Sequence, residues 1–157
     1  MDLLEYINKG GIIVYILIFM NIIGFTIILW KFFTIFRKKT IIENIKSHID
    51  TNNTKTLEIQ IEYELKKLEN GLTYIRNIAS VAPLLGLLGT VYGVYKAFEQ
   101  ITIKGLGDPT VFSGGISIAL ITTIAGLIVA IPHLIAYNYF ISVIDSIELR
   151  AKKELLH

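Results

Sequence analysis

An all-α, polytopic membrane protein with three transmembrane helices, helices 2 and 3 long and extending into the cytoplasm, is the fold class this sequence predicts. Three observations lead there. Of the 157 residues, 53% are hydrophobic and the mean hydropathy is +0.59, too apolar for an ordinary soluble domain. Three stretches stay apolar over lengths near the roughly 20 residues that a bilayer core requires. Two of them also stack small residues on one helical face, the pattern that lets membrane helices approach closely.

Taken in order, residues 1–10 place Leu3, Leu4 and Ile7 among charged neighbours, as a periplasmic interfacial helix would, and the Gly10-Gly11 pair breaks it off. No basic n-region precedes the first apolar run and no small-residue cleavage site follows it, so a removable signal peptide is not expected. Residues 11–35 form transmembrane helix 1. Trp30 and Lys31 suit an interface, where the lysine can snorkel, and Arg37-Lys38-Lys39 argue for a cytoplasmic exit and hence a periplasmic N-terminus.

Residues 36–80 are polar and read as a cytoplasmic helical loop, interrupted by the turn-rich Asp50-Thr51-Asn52-Asn53-Thr54. Beyond that break Ile61, Leu65, Leu68, Leu72 and Ile75 alternate by four and three, like a coiled-coil seam. The register continues through Ala79, Ala82, Gly86, Gly89 and Gly93, which predicts one helix over 57–103, about 70 Å long. Gly71 and Pro83 are its weak points. Its membrane part, residues 81–103, is transmembrane helix 2, with Lys96 and Glu99 at the outer interface. A short periplasmic loop, 104–112, contains KGLGDP. Transmembrane helix 3 occupies 113–136, and a cytoplasmic helical extension occupies 137–157. Three spans place the C-terminus in the cytoplasm, in agreement with Arg150, Lys152 and Lys153 in the tail.

The helix packing seam consists of Ala82, Gly86, Gly89 and Gly93 on helix 2 and of Gly115, Ala119, Gly126 and Ala130, with Thr122, on helix 3. Thr90 and Thr123 flank the two faces. Taken alone, each hydroxyl need do no more than bond a carbonyl one turn back. His133, directly after Pro132, is the one side chain near a span whose ordinary titration range is neutral. It is a candidate proton exit step, or simply an interfacial histidine.

Several classes fall away. The net charge of +2 is too small, and its cations too scattered, for a nucleic-acid partner. Cysteine is absent, and His48, His133 and His157 have no metal-ligating spacing, so no cofactor or metal is expected. No nucleophile elbow, phosphate loop or paired carboxylates mark an enzyme, and no catalytic residue is assigned. No span core carries an acid, so any proton crossing here needs a carboxylate from another chain.

Residues 82–91, APLLGLLGTV, followed by Gly115-Ile116-Ser117, Ala119-Leu120, Thr123, Gly126-Leu127, Ala130-Ile131-Pro132 and Tyr137-Asn138, closely resemble the MotA/TolQ/ExbB proton-channel family on its ExbB/TolQ side. The resemblance covers essentially the whole chain. It implies a homo-pentamer in the bacterial inner membrane, enclosing helices of an ExbD- or TolR-like single-span partner that supplies the proton-carrying aspartate. It also implies work on a TonB-like protein. Thr90 and Thr123 match the family's lumen-facing threonines. Ile118, in GISIAL, stands where ExbB and TolQ usually have glutamate; it falls at a possible lumen edge and leaves the partner as sole acid. A TolQ-like role, a passive three-span scaffold and a solute carrier are the alternatives. A flagellar stator subunit would have four spans and a larger cytoplasmic loop.

Overall fold

The computed structural model describes residues 3–36, 54–105 and 109–155. Four helices account for nearly all of them: α1 (Leu3–Phe36), α2 (Thr54–Glu69), α3 (Leu72–Lys104) and α4 (Thr110–Leu155). Among the described residues there is no strand. Expectations resting on Arg37, Lys38 and Lys39, on Asp50 to Asn53, on His48 and His157, and on the middle of the 104–112 loop lie outside them. Helices α1, α3 and α4 are each long and apolar enough to cross a bilayer.

Helix α1 changes direction at Gly11, whose φ of 64° and ψ of −155° are open to glycine and costly for other residues. The preceding turn is tied across this kink by the Tyr15 hydroxyl, which donates to Asn8 Oδ1 at 2.9 Å. Beyond the kink α1 packs Ile13 and Leu17 against Ile78 and Ala82 of α3 and Val129 and Ala130 of α4.

The single helix expected over 57–103 is in fact two. The chain breaks at Asn70–Gly71, where Gly71 takes a left-handed conformation (φ 91°, ψ −21°); glycine both weakens a helix interior and enters this region without a Cβ clash. The seam survives the break. Ile61, Leu65, Leu68, Leu72, Ile75, Ala79, Ala82, Gly86, Gly89 and Gly93 are all buried, five of them large and five small. Pro83 stays inside α3 and Pro132 inside α4, where each removes one backbone donor without ending the helix.

The large seam residues of α2 and early α3 meet Phe140, Ile144 and Ala151 of α4, with Ile35 of α1 closing the cluster. Helix α4 runs unbroken for 46 residues, about 69 Å at 1.5 Å per residue, and so serves both the apolar span and the amphipathic end. Lys31 departs from the snorkelling expected of it: it is 2% exposed and its ammonium donates to Leu68 O at 3.0 Å. Trp30 beside it is exposed.

Candidate functional site

The small faces of α3 and α4 lie against each other within one chain, and the approach is set by backbone. A Cβ at Gly93 would stand 2.5 Å from the Gly115 carbonyl oxygen and 2.6 Å from the Ala119 nitrogen. At Gly86 it would stand 2.9 Å from the Thr122 carbonyl oxygen, and at Gly126 2.7 Å from that of Ala82. At Gly89 it would run into the side chain of Thr122. Contacts below 3 Å against main chain cannot be relieved by a rotamer change, so these positions hold the two axes together. Ala119 and Ala130 are buried in the same seam.

That close approach brings Thr90 and Thr123 together. Their hydroxyls share a short hydrogen bond across the seam, in which either can donate. Each also has the helical carbonyl that an isolated threonine would use: Thr90 reaches Gly86 O at 3.3 Å and Thr123 reaches Ala119 O at 3.1 Å. Thr90 further reaches Ala119 O at 3.2 Å, and the buried Thr122 donates to Ala119 O at 3.0 Å or to Ile118 O at 2.9 Å. Three hydroxyls thus compete for one carbonyl with two lone pairs. Each hydroxyl has an alternative acceptor nearby, so the group can rotate its protons and turn either a donor or a lone pair outward without leaving a partner unsatisfied.

Both threonines are half buried. In helical projection Thr90 lies about 140° from Leu85 on α3, and Thr123 about 160° from Ala125 on α4. Leu85 and Ala125 pack against the apolar cluster that Ile13 and Leu17 of α1 help to build. The hydroxyl pair therefore occupies the edge of the hairpin that faces away from α1.

Ile118 and His133 are not part of this cluster. Ile118 is half buried and sits about 140° around α4 from Thr123, so only its carbonyl, through Thr122, joins the network. His133 is fully buried, about 15 Å along α4 from Thr123. Its Nδ1 lies 2.7 Å from Val129 O and must carry the proton to donate there. Nε2 has no hydrogen-bond partner among the described residues and points at the backbone of Gly24. The Phe25 ring meets the imidazole edge-on, with centroids 5.3 Å apart. The position is an α1–α4 joint. Among the described residues no group of three or more histidines, cysteines or acids could hold a metal ion.

Sequence reasoning placed Thr122 in the packing seam but missed its place in the hydroxyl network, and it passed over Gly24 and the buried role of Lys31. A lone glycine in an otherwise bulky span was the available signal for Gly24; nothing in local spacing marked Lys31 as a buried polar contact.

A sequence profile described as the MotA/TolQ/ExbB proton channel family matches residues 32–153. The chain belongs to that family. Biopolymer transport protein ExbB of Aquifex aeolicus is 35% identical over 140 residues, covering 89% of this chain and 83% of the relative. ExbB of Xanthomonas campestris is 38% identical over 93 residues, 59% of this chain and 37% of the relative. The Tol-Pal system protein TolQ of Haemophilus influenzae is 34% identical over 94 residues, 60% of this chain and 41% of the relative. The chain thus matches less than half the length of the Xanthomonas and Haemophilus proteins. Family membership and the three apolar helices make it a multi-pass membrane protein.

Proposed function

We propose that this chain is the proton-channel and motor subunit of an inner-membrane energising complex that couples the proton motive force to a TonB-like partner for outer-membrane transport. A TolQ-like role in envelope maintenance is the nearest alternative. In this reading the N-terminus is periplasmic, the C-terminus cytoplasmic, and several copies, by family resemblance five, surround an ExbD- or TolR-like single-span partner. The observation that carries it is the Thr90–Thr123 pair on the outer edge of the hairpin, in a chain whose span cores hold no acid.

Such an edge suits a carboxylate brought by another chain. An ionised carboxylate accepts hydrogen bonds, and the two hydroxyls can turn donors toward it. Once protonated it must donate, and a threonine oxygen can accept. The threonines themselves do not titrate; they keep both states of the carboxyl solvated in a site with little water. Moving one charge through the membrane potential supplies about 2.3 kcal/mol per 100 mV, comparable to a few such hydrogen bonds. His133, with its one outward nitrogen against Gly24, is better suited to holding α1 than to releasing protons.

The test is proton uptake by proteoliposomes containing this chain and its single-span partner. Thr123→Val should cut partner-dependent uptake severely while Ile118→Ala largely spares it. The reverse order would reject the assignment.

A further inference from the structure

At Asn70–Gly71 the seam stops being helical and restarts. The Asn70 amide donates to Lys66 O at 3.2 Å, and the Tyr74 amide to Gly71 O at 3.2 Å. In an unbroken helix the Leu68 carbonyl would accept from the amide four residues on; at the end of α2 it becomes one of the orphan acceptors. Lys31 comes to it from α1, donating at 3.0 Å with its side chain buried. The lysine stem lies over Gly71, where a Cβ would stand 3.3 Å from Lys31 Cε. A cation at a helix C-terminus is favoured by the aligned peptide dipoles, and the Trp30 ring lies 5.4 Å from the ammonium, a second favourable contact. Leu68 and Leu72, on either side of the bend, share one apolar cluster with Phe140 and Ile144 of α4 and Ile35 of α1. The angle of the bend therefore decides how α2 rests on α4.

We propose that Lys31 is a positioning residue: by capping the Leu68 carbonyl it fixes the bend at Gly71 and holds α2 on α4, so that movement at the Thr90–Thr123 edge of the α3–α4 hairpin is passed to α2. The functional half of this rests on the proton-conducting role proposed above. Taking an ammonium out of water is costly, and an apolar side chain would fill the same space without that cost; what it could not do is satisfy the carbonyl exposed by the break.

The experiment uses the full chain co-reconstituted with its single-span partner. Lys31→Met keeps the stem and removes the charge and donor; Lys31→Arg keeps a cationic donor. With oligomer mass unchanged, amide hydrogen exchange over residues 70–74 should be at least ten-fold faster in K31M and close to wild type in K31R. Partner-dependent proton flux should fall at least five-fold in K31M and largely recover in K31R. Gly71→Ala, which strains the bend at a positive φ and sets a methyl 3.3 Å from Lys31 Cε, should reproduce the K31M result. Unchanged exchange in K31M, faster exchange with normal flux, or loss of the oligomer together with flux would each overturn the proposal. If the wild-type pair itself carried no flux, the proton-conducting role would fail alone, and exchange in K31M would still decide whether Lys31 holds the bend.

Discussion

Gly114 and Gly115 are neighbours on α4 with opposite surroundings, and alanine at each should separate the seam from ordinary helix propensity. A Cβ at Gly114 meets nothing within 4 Å. At Gly115 it would stand 2.6 Å from the Ala97 nitrogen and 2.8 Å from the Ala97 Cβ, with the Gly93 carbonyl oxygen closer still. Both substitutions gain the same helix propensity, roughly 0.8–1 kcal/mol for glycine to alanine, so that contribution cancels in their difference. What remains is overpacking against main chain, which costs about 1–3 kcal/mol. Gly114→Ala should therefore be neutral or stabilising, and Gly115→Ala less stable than Gly114→Ala by about 1–3 kcal/mol. Reversible unfolding of the two purified variants in one mild detergent measures that difference. Stabilities agreeing within about 0.5 kcal/mol, the ordinary scatter of surface substitutions, would refute the close backbone approach of α3 and α4.

Replacing Thr90 and Thr123 by valine, singly and together, should couple only weakly in stability, by about 0.6 kcal/mol as for other hydrogen bonds between membrane helices, because each hydroxyl has a carbonyl to return to; a double-mutant cycle by unfolding checks this, and coupling above about 2 kcal/mol would mean the pair is chiefly a structural clamp. Gly24→Ala should displace the His133 ring, whose Nε2 and Cδ2 occupy the space of the new methyl, and destabilise by about 1–3 kcal/mol. Adding His133→Ala should recover part of that loss, and strictly additive effects in the same unfolding assay would contradict the α1–α4 joint. Gly89→Leu should drive a branched side chain into Thr122 and prevent the hairpin from closing. Native mass spectrometry should find no ordered oligomer, and a wild-type assembly would count against the seam.

Much of the fold was legible because it follows from length and periodicity. The three apolar runs could only be spans, and the 4-3 alternation from Ile61 to Gly93 gave the buried stripe through both α2 and α3. The break at Gly71 was not legible as a break, since the stripe keeps its register across it and propensity alone does not say whether a single glycine bends a helix or is carried by its neighbours. Spacing placed Thr90 and Thr123 beside small faces, but it could not say that the two faces belong to one hairpin or that the hydroxyls touch. Lys31 and His133 show the limit most clearly. Their partners, the Leu68 carbonyl and the Gly24 backbone, are main-chain groups far away in sequence; the carbonyl leaves no trace in residue identity, and the glycine does not name the ring that needs its missing side chain. Ile118 illustrates a subtler case, as an angle on one helix becomes an edge only when the neighbouring helix is in place.

In the function proposed above this chain lines a proton path whose acid belongs to another protein, and proton flux in proteoliposomes, driven by a set membrane potential, tests that most directly. The chain alone should be tight, the chain with its single-span partner should conduct, and either neutralising the partner's intramembrane carboxylate or replacing both Thr90 and Thr123 by valine should abolish conduction. Flux through the chain alone, or undiminished flux in the Thr90→Val/Thr123→Val pair, would contradict the account.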